Sequence, residues 1–152
     1  MAGGAERRGA WAVSRWLSDA WVADLGRAVT AVVSSAGGAD DATGGVAALA
    51  GIVVDVVVTG GSDGDVAFHC RFDGGSVPGI AVGRGTGASV RVSIGSDDAW
   101  RLLVGDLTLS SAYMQGRAKV EGPTGAVLEL LRASALAPAE AVRAAMAAST
   151  ER

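Results

Sequence analysis

Between Ser96 and Leu131 the sequence SDDAWRLLVGDLTLSSAYMQGRAKVEGPTGAVLELL reads as helix, short helix, strand and helix, and a residue suited to start or stop an element stands at each of the three junctions. Ser96 is a good N-cap, and Asp97 and Asp98 place negative charge where a helix dipole favours it. Trp100, Leu103 and Val104 follow at i, i+3 and i+4 as one apolar face, and Gly105 can end that helix in a left-handed conformation. Thr108 can cap a second, shorter helix carrying Ala112, Tyr113 and Met114, which Gly116 stops. Arg117 to Glu121 alternates polar and apolar, with Ala118 and Val120 on one side, as a half-buried strand does. Pro123 suits the first position of a last helix, where its missing N–H costs nothing, and Val127, Leu128, Leu130 and Leu131 form that helix's buried stripe.

The run Ala112-Tyr113-Met114-Gln115-Gly116-Arg117-Ala118-Lys119-Val120-Glu121-Gly122, followed by a Leu-rich helix, resembles the C-terminal half of the sterol carrier protein-2 family. That family's pattern here is small-aromatic-x-x-Gly-basic-x-basic-aliphatic-x-Gly, then an amphipathic helix. Leu103-Val104-Gly105-Asp106-Leu107 is similar to its leucine–glycine segment, and the resemblance spans roughly Ile52 to Leu131. One departure is Pro123, where family members commonly carry Asp or Asn. The resemblance implies an α+β fold: a five-stranded mixed, mainly antiparallel sheet, helices covering one face, and an apolar tunnel between them.

Composition sets the outer limits. A chain of 152 residues is expected to form one domain that buries roughly two-thirds of its unfolded surface. Apolar residues make up 49% and mean hydropathy is +0.34, high for a soluble domain. The net charge of −3 and pI near 5.0 argue against nucleic acid, which asks for a basic patch. Cys70 is the single cysteine, so no internal disulfide forms. Arg15, Asp19 and Asp24 interrupt anything like a signal h-region, and the apolar run Val46 to Val54 is too short to span a bilayer. The last residues, Ser149-Thr150-Glu151-Arg152, carry no peroxisomal tripeptide, so the expected location is cytoplasmic. The Ala, Gly and Val bias, with Arg far outnumbering Lys, fits a bacterial, actinobacterial-like source.

Three regions are expected: a disordered N-terminus over 1–11, the sterol carrier-like domain over 12–134, and an Ala-rich helix and tail over 135–152. Ala12 to Ser34 has a helical pattern, with Leu17, Trp21, Leu25, Ala28 and Val32 as its stripe; Trp11 and Trp16 fall off it. Residues 35–45 form a polar, Gly-rich connector. Ile52 to Thr59 is a β-branched run, the mark of a strand covered on both faces. Asp65 to Asp73 alternates, with Val66, Phe68, Cys70 and Phe72 on one face and Ala67, His69 and Arg71 on the other. Val77 to Val82 is a third strand, placed at an edge by Pro78, and Ala88 to Ile94 a fourth with Val90, Val92 and Ile94 facing in. Short Gly-rich turns between the four suggest an antiparallel meander. After Ala133, Pro138 starts a helix whose only large apolar residues are Val142 and Met146.

Few motifs point to chemistry. Gly83-Arg84-Gly85-Thr86-Gly87-Ala88 matches a loose dinucleotide fingerprint, which requires a helix next so that its N-terminus meets the pyrophosphate. Ser89-Val90-Arg91-Val92-Ser93 follows instead, so the expectation is strand, turn, strand. His69 and Cys70 are adjacent in a strand and face opposite ways, which rules out a nucleophile–base pair between them. With one His in the chain no zinc site of the usual spacing arises, and Asp97-Asp98 reads as a helix start. No cofactor, metal or catalytic residue is expected.

The apolar residues of the last helices and of the alternating strand are equally at home in a plain core. Under the resemblance they line the tunnel: Phe68 and Phe72 from the strand, Trp100, Leu103 and Leu107 from the first helix and its exit. Tyr113, Met114 and Gln115 follow from the second helix, then Leu128 and Leu131 from the last. Arg101 or Arg117 could meet a carboxylate at the mouth. An empty void of about 300 Å³ would cost roughly 7 kcal/mol at ~24 cal/mol per Å³, comparable to a domain's whole stability, so such a tunnel wants a guest or collapses. The expected function is binding and transfer of a hydrophobic small molecule: a lipid, fatty acyl chain, sterol-like or polyketide-like metabolite. The alternative is a cyclase or isomerase of secondary metabolism, of the kind encoded in a biosynthetic cluster, that preorganises an intermediate in the same cavity. Neither needs nucleic acid or a transmembrane segment, and a homodimer is left open.

Overall fold

A computed structural model describes residues 14–36, 51–61, 64–72 and 78–151. In chain order the elements are β1 (Ser14–Arg15), α1 (Asp19–Ala36), β2 (Val53–Gly61), β3 (Gly64–Arg71), β4 (Gly79–Val82) and β5 (Val90–Gly95). They continue with α2 (Ser96–Val104), α3 (Leu109–Met114), β6 (Ala118–Glu121), α4 (Thr124–Ser134), α5 (Ala137–Ala148) and β7 (Thr150–Glu151). The expected N-terminal disorder, most of the connector and the turn at Asp73 lie outside the described residues.

Five strands form one sheet in the order β4-β3-β2-β5-β6. The pairs β2–β3, β3–β4 and β5–β6 are antiparallel, whereas β2–β5 is parallel, so the sheet is mixed and mainly antiparallel as expected. The meander expectation is corrected at the fourth strand. β5 does not return beside β4; it crosses to the far side of β2 and pairs Val54 with Val90 and Val58 with Ile94. Pro78 precedes β4, which is indeed an edge.

Register places one residue class on each face. Val66, Val58, Ile94 and Ala118 lie side by side across β3, β2, β5 and β6, as do Phe68, Val56, Val92 and Val120. Both rows face the helices, in two adjoining apolar clusters: one reaches α1, α2, α3 and α5, the other α4 through Val127 and Leu131. On the opposite face stand His69, Asp55 and Arg91. The crossover from β4 to β5 runs over this face. Gly85 N–H donates to Asp55 Oδ1 at 2.7 Å, and His69 Nδ1 lies 2.8 Å from the Gly83 carbonyl oxygen. A Cβ on Gly85 would stand 2.7 Å from Val53 Cγ1, which is why glycine is needed there. The strap explains why Asp55 is 2% exposed and why β2 is covered on both faces although helices cover only one.

Local signals hold with small shifts. Gly95, not Ser96, is the cap of α2; Ser96 is its first residue and its hydroxyl donates to the Gly60 carbonyl. Gly105 ends α2 at φ 90°, and Thr108 caps α3 by accepting from Ser111 N–H at 3.1 Å. Pro123 is the residue before α4 rather than its first, with extended ψ of 137°. The first helix begins at Asp19, seven residues later than its pattern suggests. Ser14 and Arg15 pair in parallel with Thr150 and Glu151, Leu17 takes φ 64° to turn the chain, and the Ser18 hydroxyl accepts from Trp21 N–H. Leu17 is buried all the same.

Candidate ligand pocket

The inner sheet face and the helices above it do not close completely. Between them lies a pocket of about 400 Å³. Its floor is the period-2 pattern of three strands: Val54, Val56 and Val58 of β2, Phe68 and Cys70 of β3, Val92 and Ile94 of β5. Trp21 and Leu25 of α1 form one wall, Ala99 and Leu103 of α2 another, and Val142 and Met146 of α5 the roof. A smaller pocket of about 180 Å³ adjoins it between α1, α4 and α5.

Charge is scarce and already spent. Arg143 alone brings a charged side chain to the larger lining. Its Nη1 donates to the Leu103 carbonyl at 2.7 Å, and its Nε and Nη2 donate to the Glu140 carboxylate at 3.0 and 2.5 Å. That shared hydrogen bond holds the Glu140 carboxyl below, and the Arg143 guanidinium above, their ordinary values. Arg101 and Arg117, the cations expected near a mouth, both converge on Asp98 Oδ1, at 3.5 and 3.2 Å. Among the described residues no three His, Cys, Asp or Glu side chains gather as a metal site.

The ten residues expected to line a tunnel are placed as follows. Phe68, Phe72 and Leu103 line the larger pocket. Leu107 is buried in the core beside it, and Trp100 packs edge-to-face on Trp16 at 5.3 Å. Leu131 belongs to the cluster under α4. Tyr113, Met114 and Leu128 are exposed at 40%, 83% and 59%, and Gln115, also exposed, accepts from Arg117 Nε. α1 and α5 supply the lining that the local motifs of the central stretch do not reveal. The signals were present: Trp21, Leu25, Val29 and Val33 recur every fourth residue, and Val142 and Met146 are the large apolar residues of an Ala-rich helix.

Cys70 lines both pockets, and burial pushes its thiol from an ordinary 9.0 up to about 12. Because the thiolate is the reactive form, about a thousandfold less of it exists at pH 8 than in a peptide. Alkylation by iodoacetamide should therefore be slow in the native protein and rapid in urea; equal rates would place Cys70 in solvent. The unfolded chain releases this proton from pH 9 and the folded one only near 12, so stability should fall as pH rises through that window. Cys70→Ala should remove that part of the slope.

No family model matches the sequence, and no curated protein does. Solved structures do resemble it. A conserved hypothetical protein of Thermus thermophilus, described as a candidate sterol carrier protein, matches with TM-score 0.61 at 15% identity, covering 93% of this chain and 96% of that one. A crystal structure of sterol carrier protein 2 matches with TM-score 0.56 at 15% identity over 85% and 98%. Apo sterol carrier protein 2 from Yarrowia lipolytica matches with TM-score 0.52 at 13% identity over 76% and 92%. Sequence identity this low speaks to architecture alone, and at that level the chain has the sterol carrier protein 2 fold.

Proposed function

We propose that this protein binds and carries a hydrophobic small molecule in the pocket between sheet and helices, acting in the cytoplasm. The observation that carries this is an apolar pocket of about 400 Å³ whose one charged neighbour is already neutralised by Glu140. Ligand pockets span roughly 300–1,000 Å³ and are lined mainly by apolar side chains. Binding here is desolvation. Each CH₂ removed from water contributes about 0.8 kcal/mol, so sixteen carbons give on the order of 12 kcal/mol gross. Association and chain ordering take back several kcal/mol, leaving micromolar or tighter affinity. On this reading Phe68, Phe72 and Leu103, which line the pocket, would contact the ligand. No helix among the described residues is long and apolar enough to cross a membrane.

A thermal-shift assay tests the reading. Ligand that occupies only the folded state stabilises by RT ln(1 + [L]/Kd), about 2.7 kcal/mol at a hundredfold excess. For a domain of this size Tm should rise by several degrees with acyl chains, sterols or apolar metabolites. No shift with any of them would overturn it, and turnover of an added isoprenoid or polyketide intermediate would make the protein an enzyme instead.

A further inference from the structure

Trp16 holds an unused hydrogen-bond donor. It lines the larger pocket, and its Nε1 is buried with no hydrogen-bond partner among the described residues. A buried indole N–H normally finds an acceptor, and one left alone costs more than a typical hydrogen bond contributes. The residue is held where it stands. Its backbone N–H donates to the Glu151 carbonyl at 2.8 Å, and the next residue, Leu17, takes φ 64°. Trp21 and Trp100 pack on its ring edge-to-face at 5.0 and 5.3 Å. The stronger polar side chains that share the lining are already occupied. Trp21 Nε1 donates to Thr150 Oγ1, the Ser134 hydroxyl to the Leu131 carbonyl, and Arg143 to the Leu103 carbonyl and the Glu140 carboxylate. The Cys70 thiol is a weak donor. A water molecule needs roughly two to four polar partners, and these side chains leave it one strong donor, so water is a poor match for Trp16 Nε1.

Resting on the binding proposed above, we infer that the Trp16 indole N–H is the polar anchor of the pocket and selects a neutral carbonyl compound, a ketone or an ester, over a hydrocarbon or a carboxylate. A carbonyl oxygen accepts from Nε1 and brings no charge into an apolar lining. A hydrocarbon of the same shape leaves the donor unpaired. A carboxylate gives up its hydration and meets no unpaired cation, because Arg143 already holds Glu140. Discrimination is strong where a buried polar group of the site is otherwise left alone.

The test compares probes built on one scaffold: benzophenone, diphenylmethane, in which CH₂ replaces the carbonyl, and diphenylacetate, which carries a carboxylate. Affinities are read by displacement of Nile red from wild-type protein and from Trp16→Phe, which keeps an aromatic ring and removes the N–H. Benzophenone should bind Trp16→Phe about tenfold more weakly than wild type, and diphenylmethane should change by less than about twofold. Diphenylacetate should bind wild-type protein most weakly of the probes. The benzophenone carbonyl stretch should lie at lower frequency on wild-type protein than in a hydrocarbon solvent. That shift, which a packing role would not produce, should vanish in Trp16→Phe. The infrared measurement on wild type stands alone if Trp16→Phe folds poorly. A carbonyl stretch at its hydrocarbon value, equal losses for benzophenone and diphenylmethane, or tightest binding of diphenylacetate would overturn the anchor while leaving the pocket as a binding site. Failure of every probe and of Nile red to bind wild-type protein would overturn both.

Discussion

Trp21→Ala should lower the free energy of unfolding by about 3–5 kcal/mol, as truncations of large buried aromatics do, because the ring packs on Trp16 and Phe68 as well as forming a pocket wall. Trp21 is 5% exposed and sits where three parts of the chain meet. Its ring meets Trp16 edge-on at 5.0 Å and Phe68 at 5.9 Å, and such aromatic pairs contribute roughly 0.5–1.5 kcal/mol beyond the area they bury. Its indole N–H donates to Thr150 Oγ1 at 2.9 Å, tying α1 to the β7 strand that pairs with β1. Trp21→Phe separates the two contributions. The Thr150 hydroxyl still has the Met146 carbonyl to donate to, so losing the indole should cost only about 1 kcal/mol beyond packing. Urea titrations of the two variants measure both numbers. A loss below about 1 kcal/mol for Trp21→Ala would mean that the α1–sheet contact is not a core contact.

That contact is also where the sequence was least informative. Between Ser96 and Leu131 each element could be read locally, because the signals there are local: a cap hydroxyl on Thr108, a left-handed Gly105, a period changing from 3.6 to 2 at Arg117. Strand faces were legible for the same reason, since alternation is fixed by the pleat, and Phe68, Cys70 and Phe72 do share one side. Pairing is another matter. Nothing in Ala88 to Ile94 records whether the strand lies antiparallel to its predecessor or parallel to β2. The deciding features are a buried Asp55 and a bare Gly85 thirty residues apart, which only the folded chain brings to 2.7 Å. Likewise Ser14 and Arg15 read as helix until Thr150 and Glu151 come beside them.

The site divides along the same line. Periodicity marks the inward faces of β3 and α2, where Phe68 and Leu103 stand, but only the family resemblance suggested that those faces line a cavity. The apolar residues of α3 and α4 have equally good local credentials, yet Met114 and Leu128 point outward. Which helix faces the pocket is decided by the packing of α1 and α5 against each other and over the sheet. Met146, 2% exposed, is the residue through which α5 enters the core; with Val142 it marks the apolar side of the Ala-rich helix, but nothing in that helix records which surface the side packs against.

Gly122→Ala should cost about 3–4 kcal/mol, a large effect for one methyl group. Gly122 joins β6 to the turn before α4 at φ 152°, a conformation side chains rarely adopt, and the following Pro123 restricts its backbone further. A Cβ placed there would lie 2.6 Å from the Ser89 carbonyl oxygen and 3.2 Å from Val90 Cα. Neither can retreat. Ser89 N–H is bonded to the Val53 carbonyl at 2.9 Å, and Val90, 1% exposed, is held in the parallel register with Val54. Relief would therefore have to come from unpairing β6 or from shifting β5 against β2, and both would disturb the pocket floor at Val92. Gly125→Ala is the matched control. That glycine lies in the first turn of α4, where a Cβ would meet no atom within 4 Å, so alanine should stabilise by about 0.5–1 kcal/mol. Opposite signs for two Gly→Ala changes three residues apart would be read directly from their denaturation midpoints. If Gly122→Ala instead matched the wild type, β5 and the β6–α4 turn could not approach each other as closely as the fold requires.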